Sequence, residues 1–223
     1  MKTLYIIGAG LGAGSITADA AGALSKSSAV FGAQRLLDEY SEYIKGKQSY
    51  PKYSAEDILQ IIEGDGAGSR QEERQADSFY AVLVSGDPGF YSASLKLCSA
   101  FGSMEGYSVE VLPGISSVNA MFAAIGLPWQ DAALCSFHGR DVNAAEYVRR
   151  NRYTLFLTGR NTAELSERLS EAGFSDLKLY VGEDLGSEKQ NVFSCRAFEL
   201  AEKDLSSLTV VVAENPDFDD SVP

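Results

Sequence analysis

The chain has 223 residues, a formal net charge of −12 and a hydrophobic share of 45%, enough for one large domain or two small ones with a core of their own. The acidity argues against nucleic acid as a partner, because phosphate binding needs a basic surface, and no apolar run nears the ~20 residues of a membrane span. The apolar stretch after Lys2 stops at Gly8, too early for a signal peptide, and the scattered Cys98, Cys135 and Cys195 form no CxxC, so a soluble cytoplasmic protein with reduced thiols and neither a disulfide frame nor a zinc site is expected.

Residues 3–7 are a short apolar run closed by glycines, which predicts a buried strand. The next segment, Gly8-Ala9-Gly10-Leu11-Gly12-Ala13-Gly14, fits a dinucleotide fingerprint when read as Gly8-x-Gly10-x-x-Ala13. That reading needs an acid at the end of the second strand to hold a ribose hydroxyl. The predicted second strand, 29–31, runs into Gly32, and the nearest acid, Asp38, falls inside the next helix. The other reading is a tight loop whose glycines pass close to a ligand or to another backbone. Thr17 caps a predicted helix over 18–25, and a second helix is expected over 33–40. Ser54 and Asp57 resemble a capping box opening a helix through Ile62. Residues 64–75 lack apolar periodicity and read as an exposed loop or a frayed helix end.

Residues 80–84 predict a strand, followed by Ser85-Gly86-Asp87-Pro88-Gly89-Phe90-Tyr91. In open α/β sheets, ligands bind beyond the carboxyl ends of the strands. Gly86 permits close approach, and Pro88 stiffens the turn. Asp87 either accepts hydrogen bonds from a ligand or caps the helix expected over 92–103. Residues 107–112 predict the next strand. Pro113-Gly114 then breaks the chain, giving a first domain of 1–112 and a second of 113–223. Ser116 and Ser117 open a helix over 116–125, either as caps or as hydroxyls that hold a polar ligand beside free N–H groups.

The second half predicts strands over 133–137, 153–157, 177–181, 192–195 and 208–212, with helices over 144–149 and 162–172. Alternating strands and helices imply an α/β fold with mostly parallel sheets. The closeness of the last two strands implies that part of the second sheet is antiparallel. His138 is the only histidine, so a multi-histidine metal site is excluded and no metal is expected. Its readings are a general base, a cobalt ligand or a loop residue. Arg140 suits bidentate carboxylate binding, or is a surface charge. GxSxG, the P-loop and HExxH are absent, which removes support for hydrolase and kinase readings.

Taken in order, these segments resemble the tetrapyrrole methylase family over nearly the whole chain. Ile7-Gly8-Ala9-Gly10-Leu11-Gly12, with Ile16-Thr17 after it, is similar to the family's VGxGPG…LT start, with Leu11 in place of the proline. Ser85-Gly86-Asp87-Pro88 is similar to its GDP loop, and Pro113-Gly114-Ile115-Ser116-Ser117 to its PGISS-like loop. Three further segments resemble the branch that methylates C5 of cobalt-precorrin-7 or precorrin-6Y. Phe31-Gly32-Ala33-Gln34-Arg35-Leu36 is similar to its GxxRxL segment. Gly126-Leu127-Pro128-Trp129 with Ser136-Phe137-His138-Gly139-Arg140 is similar to its LPW…SxHGR pattern, and Gly182-Glu183-Asp184-Leu185-Gly186 to its GExLG turn.

The resemblance implies a two-domain α/β tetrapyrrole methylase fold with the cofactor, S-adenosylmethionine, in the interdomain cleft. It implies C-methylation of a corrin-ring intermediate in cobalamin biosynthesis. Cofactor contacts would fall on Gly10, Leu11, Ser85, Gly86, Asp87, Phe90, Ser116, Ser117, Thr158 and Gly186. The substrate's carboxylates need cations, and Arg35, Lys52 and Arg140 are the expected ones. Solvated surface charge is the other reading of Lys52. No catalytic residue is assigned beyond the candidate His138. The resemblance further implies a homodimer. Some relatives carry a fused C15-methylating, decarboxylating domain, for which the tail 215–223 would serve as a linker. The alternatives are another methylase of the family, such as a diphthine synthase or a ribosomal-RNA ribose methylase, and an NAD-dependent oxidoreductase built on the first glycine loop.

Overall fold

The computed structural model describes residues 1–66, 77–137 and 142–218. Contacts divide the chain into two units, Met1–Ser116 and Ser117–Pro223. The break expected at 112–113 falls just before that division.

In the first unit, β1 (Lys2–Gly8), β2 (Ala29–Gly32), β3 (Gln48–Tyr50), β4 (Ser78–Val84) and β5 (Tyr107–Leu112) form one sheet in the order β3-β2-β4-β1-β5. Every pairing in it is parallel. Its inner strands, β1, β2 and β4, read as largely apolar runs because helices cover both faces. Tyr5, Ile7, Val30 and Leu83 meet Leu24 of α1 (Ala18–Lys26) and Leu36 and Leu37 of α2 (Gln34–Glu39). Leu4, Ile6, Phe31 and Val82 point the other way, onto Ile58 and Ile62 of α3 (Ala55–Gly66) and Leu97 and Phe101 of α4 (Ser94–Gly102). Burying each such side chain stabilises the unit by about 1.5–3 kcal/mol. Two of the helix starts use the expected caps. The Ala20 N–H donates to Thr17 Oγ1 at 3.2 Å, and the Asp57 N–H donates to Ser54 Oγ at 3.1 Å.

This topology has a functional consequence. β1 feeds α1 on one face, whereas its neighbour β4 feeds α4 on the other. Adjacent strands whose chains leave to opposite faces define the switch point at which open α/β sheets bind ligands.

The second unit contains α5 (Ser117–Ile125), β6 (Ala133–Ser136), α6 (Ala144–Arg150), β7 (Tyr153–Leu157), α7 (Thr162–Glu171), β8 (Lys178–Glu183), β9 (Asn191–Arg196) and β10 (Thr209–Glu214). Its sheet runs β6-β7-β10-β8-β9. The expectation of mostly parallel sheets fails here. Only β6 and β7 pair in parallel, and every other pairing is antiparallel. A parallel pair needs a long crossover, which α6 supplies between β6 and β7, whereas the short turn 184–190 forces β8 and β9 into a hairpin. The antiparallel pair expected of the last two strands is also relocated, because β10 inserts between β7 and β8 and does not touch β9 in the sheet. Phe156, Val181 and Val211 pack under Val148, Leu165 and Leu169, with Leu200 of a 3-10 turn (Ala197–Glu202) completing the cluster. Among the described residues, no helix is long and apolar enough to cross a membrane.

Candidate active site

Three loops meet at the carboxyl edge of the first sheet. Residues 9–12 leave β1, residues 85–91 leave β4 and residues 113–116 leave β5. These strands are neighbours in the sheet, so their loops are neighbours too. Gly10 and Gly86 exchange both backbone hydrogen bonds, at 3.0 and 3.2 Å, as an isolated antiparallel bridge. Their φ angles are 64° and 63°, in the left-handed region where a Cβ is penalised. The third loop closes on the other two through bare backbone. A Cβ on Gly8 would lie 2.5 Å from Gly114 N and 2.7 Å from Pro88 Cδ. One on Gly114 would lie 2.7 Å from both C and O of Gly8, and closer still to the Gly86 carbonyl oxygen. Gly8 and Gly114 therefore serve the approach of backbone to backbone.

Asp87 joins the second loop to the third. Its Oδ1 accepts from the Gly89 N–H at 2.8 Å, and its Oδ2 accepts from the Gly114 N–H at 3.1 Å. It does not cap the following helix, since α4 has Ala93 at its N-cap and no side-chain cap bond. The Pro88 carbonyl accepts from the hydroxyls of Ser92 and Ser94. The Phe90 N–H donates to the Asp87 carbonyl at 3.1 Å, closing a tight turn.

Two residues without a recognised sequence signal brace the first loop. Ser15 Oγ accepts from the Leu11 N–H and donates to the Gly12 carbonyl, both at 2.8 Å. Tyr40 is fully buried and donates its hydroxyl to the Ala9 carbonyl. Burial, with Glu39 and Tyr43 adding to it, pushes the Tyr40 pKa up to about 12. An unfolded tyrosine ionises near pH ~10. The Tyr40 contribution to stability is therefore whole below that pH and lost on rising towards the folded value, by roughly 1.4 kcal/mol per pH unit. Urea unfolding across this alkaline window should show the slope, and Tyr40→Phe should flatten it. The same slope in the variant would clear Tyr40 of the effect.

Two of the expected cations, Arg35 and Lys52, lie on the same edge. Arg35, in the first turn of α2, donates from Nη2 to Ser85 Oγ at 2.8 Å and from Nη1 to Glu39 Oε2 at 3.4 Å. A candidate substrate residue is thus bonded to a candidate cofactor residue. Lys52 follows β3 and pairs with Asp57 at 3.5 Å. Both cations are half-exposed, and ion pairs of this kind are worth only about 0–1 kcal/mol. Either can exchange its partner for a ligand carboxylate. No acid stands at the end of β2, and Asp38 accepts from Gln34 Nε2 at 2.7 Å inside α2. The ribose contact required by a dinucleotide site has no candidate there.

Gly10, Leu11, Ser85, Gly86, Asp87, Phe90, Ser116 and Arg35 are therefore gathered on one edge of the first unit, with Lys52 further along it. Ser116 is buried, and Ser117 is the first residue of α5. Thr158 and Gly186 belong to the second unit. Thr158 is fully buried, with its hydroxyl donating to the Thr209 carbonyl at 3.1 Å. Gly186 is exposed in the β8–β9 turn with φ 83°, and its N–H donates to Gln190 Oε1 at 2.8 Å. His138 and Arg140 lie outside the described residues.

A sequence model of the Tetrapyrrole (Corrin/Porphyrin) Methylases matches residues 3–201. The chain belongs to this family. This methylase is 26% identical over 215 residues to a probable cobalt-precorrin-7 C(5)-methyltransferase of Methanocaldococcus jannaschii, covering 95% of this chain and 97% of the relative. It is 33% identical over 114 residues to the precorrin-6Y C(5,15)-methyltransferase [decarboxylating] of a Sinorhizobium species, covering 50% of this chain and 27% of that longer one. The crystal structure of the precorrin-6Y methylase from Archaeoglobus fulgidus superposes with a TM-score of 0.70 at 19% identity, covering 96% of this methylase and 98% of that chain. At that identity the likeness is one of fold. The matched span takes in all three loops of the sheet edge.

Proposed function

We propose that this methylase transfers the methyl group of S-adenosylmethionine to C5 of a corrin-type macrocycle, a step in cobalamin biosynthesis. What supports this is the geometry of the edge. Three loops are locked backbone to backbone at the switch point of a parallel sheet, in a chain whose relatives are named for that reaction. Glycines at the crossing keep side chains out of the way of a ligand that approaches the backbone. The cofactor contacts in this reading are Gly10, Leu11, Ser85, Gly86, Asp87, Phe90 and Ser116, with Ser117, Thr158 and Gly186 from the second unit.

When bound, S-adenosylmethionine supplies a methyl group already activated by its sulfonium. The protein then has to align ring carbon, methyl and sulfur and to keep water out, and such alignment lowers a barrier by about 7–11 kcal/mol. Rigid loops suit that task. Arg35, Lys52 and Arg140 are the partners for the macrocycle's carboxylates, supplying local positive charge within an acidic chain. The protein works as a cytoplasmic homodimer in this reading, and its product passes to a C15-methylating, decarboxylating partner.

The test is mass spectrometry of corrin intermediates after incubation with the protein and S-adenosylmethionine. The expected result is a gain of one methyl group, located on C5 by NMR with labelled cofactor. A methyl on another carbon, or none, overturns the proposal. Arg35→Glu should raise the macrocycle KM at least about tenfold, because a carboxylate then faces carboxylates. An unchanged KM removes Arg35 from the substrate site.

A further inference from the structure

We infer that Tyr91 is the aromatic wall against which the flat face of the macrocycle lies, an inference that rests on the corrin reading above. Tyr91 ends the second loop with a φ of 46°. Among the described residues, Asp184 is the other non-glycine residue with a positive φ. Asp184 has the short polar side chain that tolerates this region, whereas a tyrosine is strained in it. Strain of this kind persists only where the surroundings over-determine the backbone, and it gathers at functional sites. The loop before Tyr91 is over-determined in this sense. Asp87 is bonded to Gly89 and Gly114, and the Pro88 carbonyl to Ser92 and Ser94.

The strained residue is not compensated by burial of its ring. Tyr91 keeps 45% of its surface exposed. Phe90 packs against it in an edge-to-face pair, with ring centroids 5.0 Å apart and planes at 72°. Helices that follow parallel strands bring their N-termini to the carboxyl edge, so α3 and α4, which touch on one face of the sheet, both start there. Immediately before α3 stand Lys52 and the exposed Tyr53, and before α4 stands Tyr91. This side of the edge thus offers two exposed tyrosines and a cation. Flat π-faces with a positive charge beside them match a broad conjugated ring that carries carboxylates.

The experiment uses the full chain and three variants, Tyr91→Gly, Tyr91→Asn and Tyr91→Phe. The readouts are the Tm without ligand, the Kd for S-adenosylhomocysteine, and the Kd for uroporphyrin, an octacarboxylic tetrapyrrole. Glycine and asparagine tolerate the left-handed region and remove the ring. Both should raise the Tm by about 2–4 °C for a chain of this size. Both should weaken uroporphyrin binding at least about tenfold through the lost stacking, with S-adenosylhomocysteine affinity unchanged. Tyr91→Phe should bind like the parent. A lowered Tm in both ring-removing variants would make the ring a packing element and overturn the inference. Unchanged uroporphyrin affinity, or a loss confined to S-adenosylhomocysteine, would overturn it as well. If the parent chain itself binds S-adenosylhomocysteine but no tetrapyrrole, the corrin reading falls and takes Tyr91 with it. If the parent binds uroporphyrin and the ring-removing variants bind it equally, only Tyr91 falls.

Discussion

Gly114→Ala should destabilise the first unit by more than about 3 kcal/mol and abolish S-adenosylhomocysteine binding, the largest effect expected of a one-carbon change in this protein. The new Cβ would sit 2.7 Å from the backbone C and O of Gly8, and nearer still to the Gly86 carbonyl oxygen. A flexible side chain could swing away from such an overlap, but these atoms are backbone of β1 and of the second loop. Gly8 continues β1, and Gly86 is tied to Gly10 by a pair of hydrogen bonds at 3.0 and 3.2 Å. Relieving the overlap means moving one loop off the other two, which breaks the edge where the cofactor is proposed to bind. Gly22→Ala is the control. Gly22 lies inside α1, and a Cβ there would meet nothing within 4 Å. That change should stabilise the helix by about 0.5–1 kcal/mol and leave ligand affinity alone. Urea unfolding and calorimetric titration of both variants make the comparison. Parental stability and affinity in Gly114→Ala would mean the three loops are not packed as described.

What the sequence disclosed about this edge follows from what is local. The strands 107–112 and 153–157 were bounded correctly because apolar runs between breakers carry their own limits. β3 escaped because Gln48-Ser49-Tyr50 is polar and sits at the sheet edge. It is held by pairing with β2 and by Tyr50 stacking on Phe31, ring centroids 5.4 Å apart. The place of β10 was illegible for a different reason. Proximity in sequence to β9 suggests a pairing, but the sheet inserts β10 between two strands far upstream, and that choice is made by long-range packing. The three glycine loops were visible as loops one at a time. Their mutual contact was not, because it joins Gly8, Gly86 and Gly114 across long separations. Ser15 and Tyr40 illustrate the same limit. Each works through one hydroxyl aimed at a backbone group, and a hydroxyl's target leaves no pattern in the sequence. For Asp87, the sequence offered a ligand contact or a helix cap, whereas the structure has both oxygens bonded to backbone N–H groups.

That role of Asp87 makes the second strong prediction. Asp87→Ala should weaken S-adenosylhomocysteine binding at least about tenfold, and Asp87→Asn should do nearly as much, each costing the unit about 1.5–3 kcal/mol. Alanine leaves two N–H groups without their acceptor. The Gly89 N–H is exposed and can turn to water, whereas the Gly114 N–H is partly buried between loops and loses more. Asparagine fares little better. Its single carbonyl oxygen can serve one N–H, and its amide NH2 then faces the other, donor against donor. The two variants therefore converge if Asp87 acts as a strut. They diverge if it acts mainly as an acceptor for ligand hydroxyls, because an asparagine oxygen can still accept one of those. Amide hydrogen exchange at Gly114, in the protein without ligand, separates the cases directly. Under the strut account, protection of that N–H falls in both variants before any cofactor is added, and the affinity loss follows from a third loop no longer held against the second. Protection that survives Asp87→Ala would mean that the third loop is seated by the glycine contacts alone. Any loss of affinity would then have to come from a direct contact between the carboxylate and the ligand.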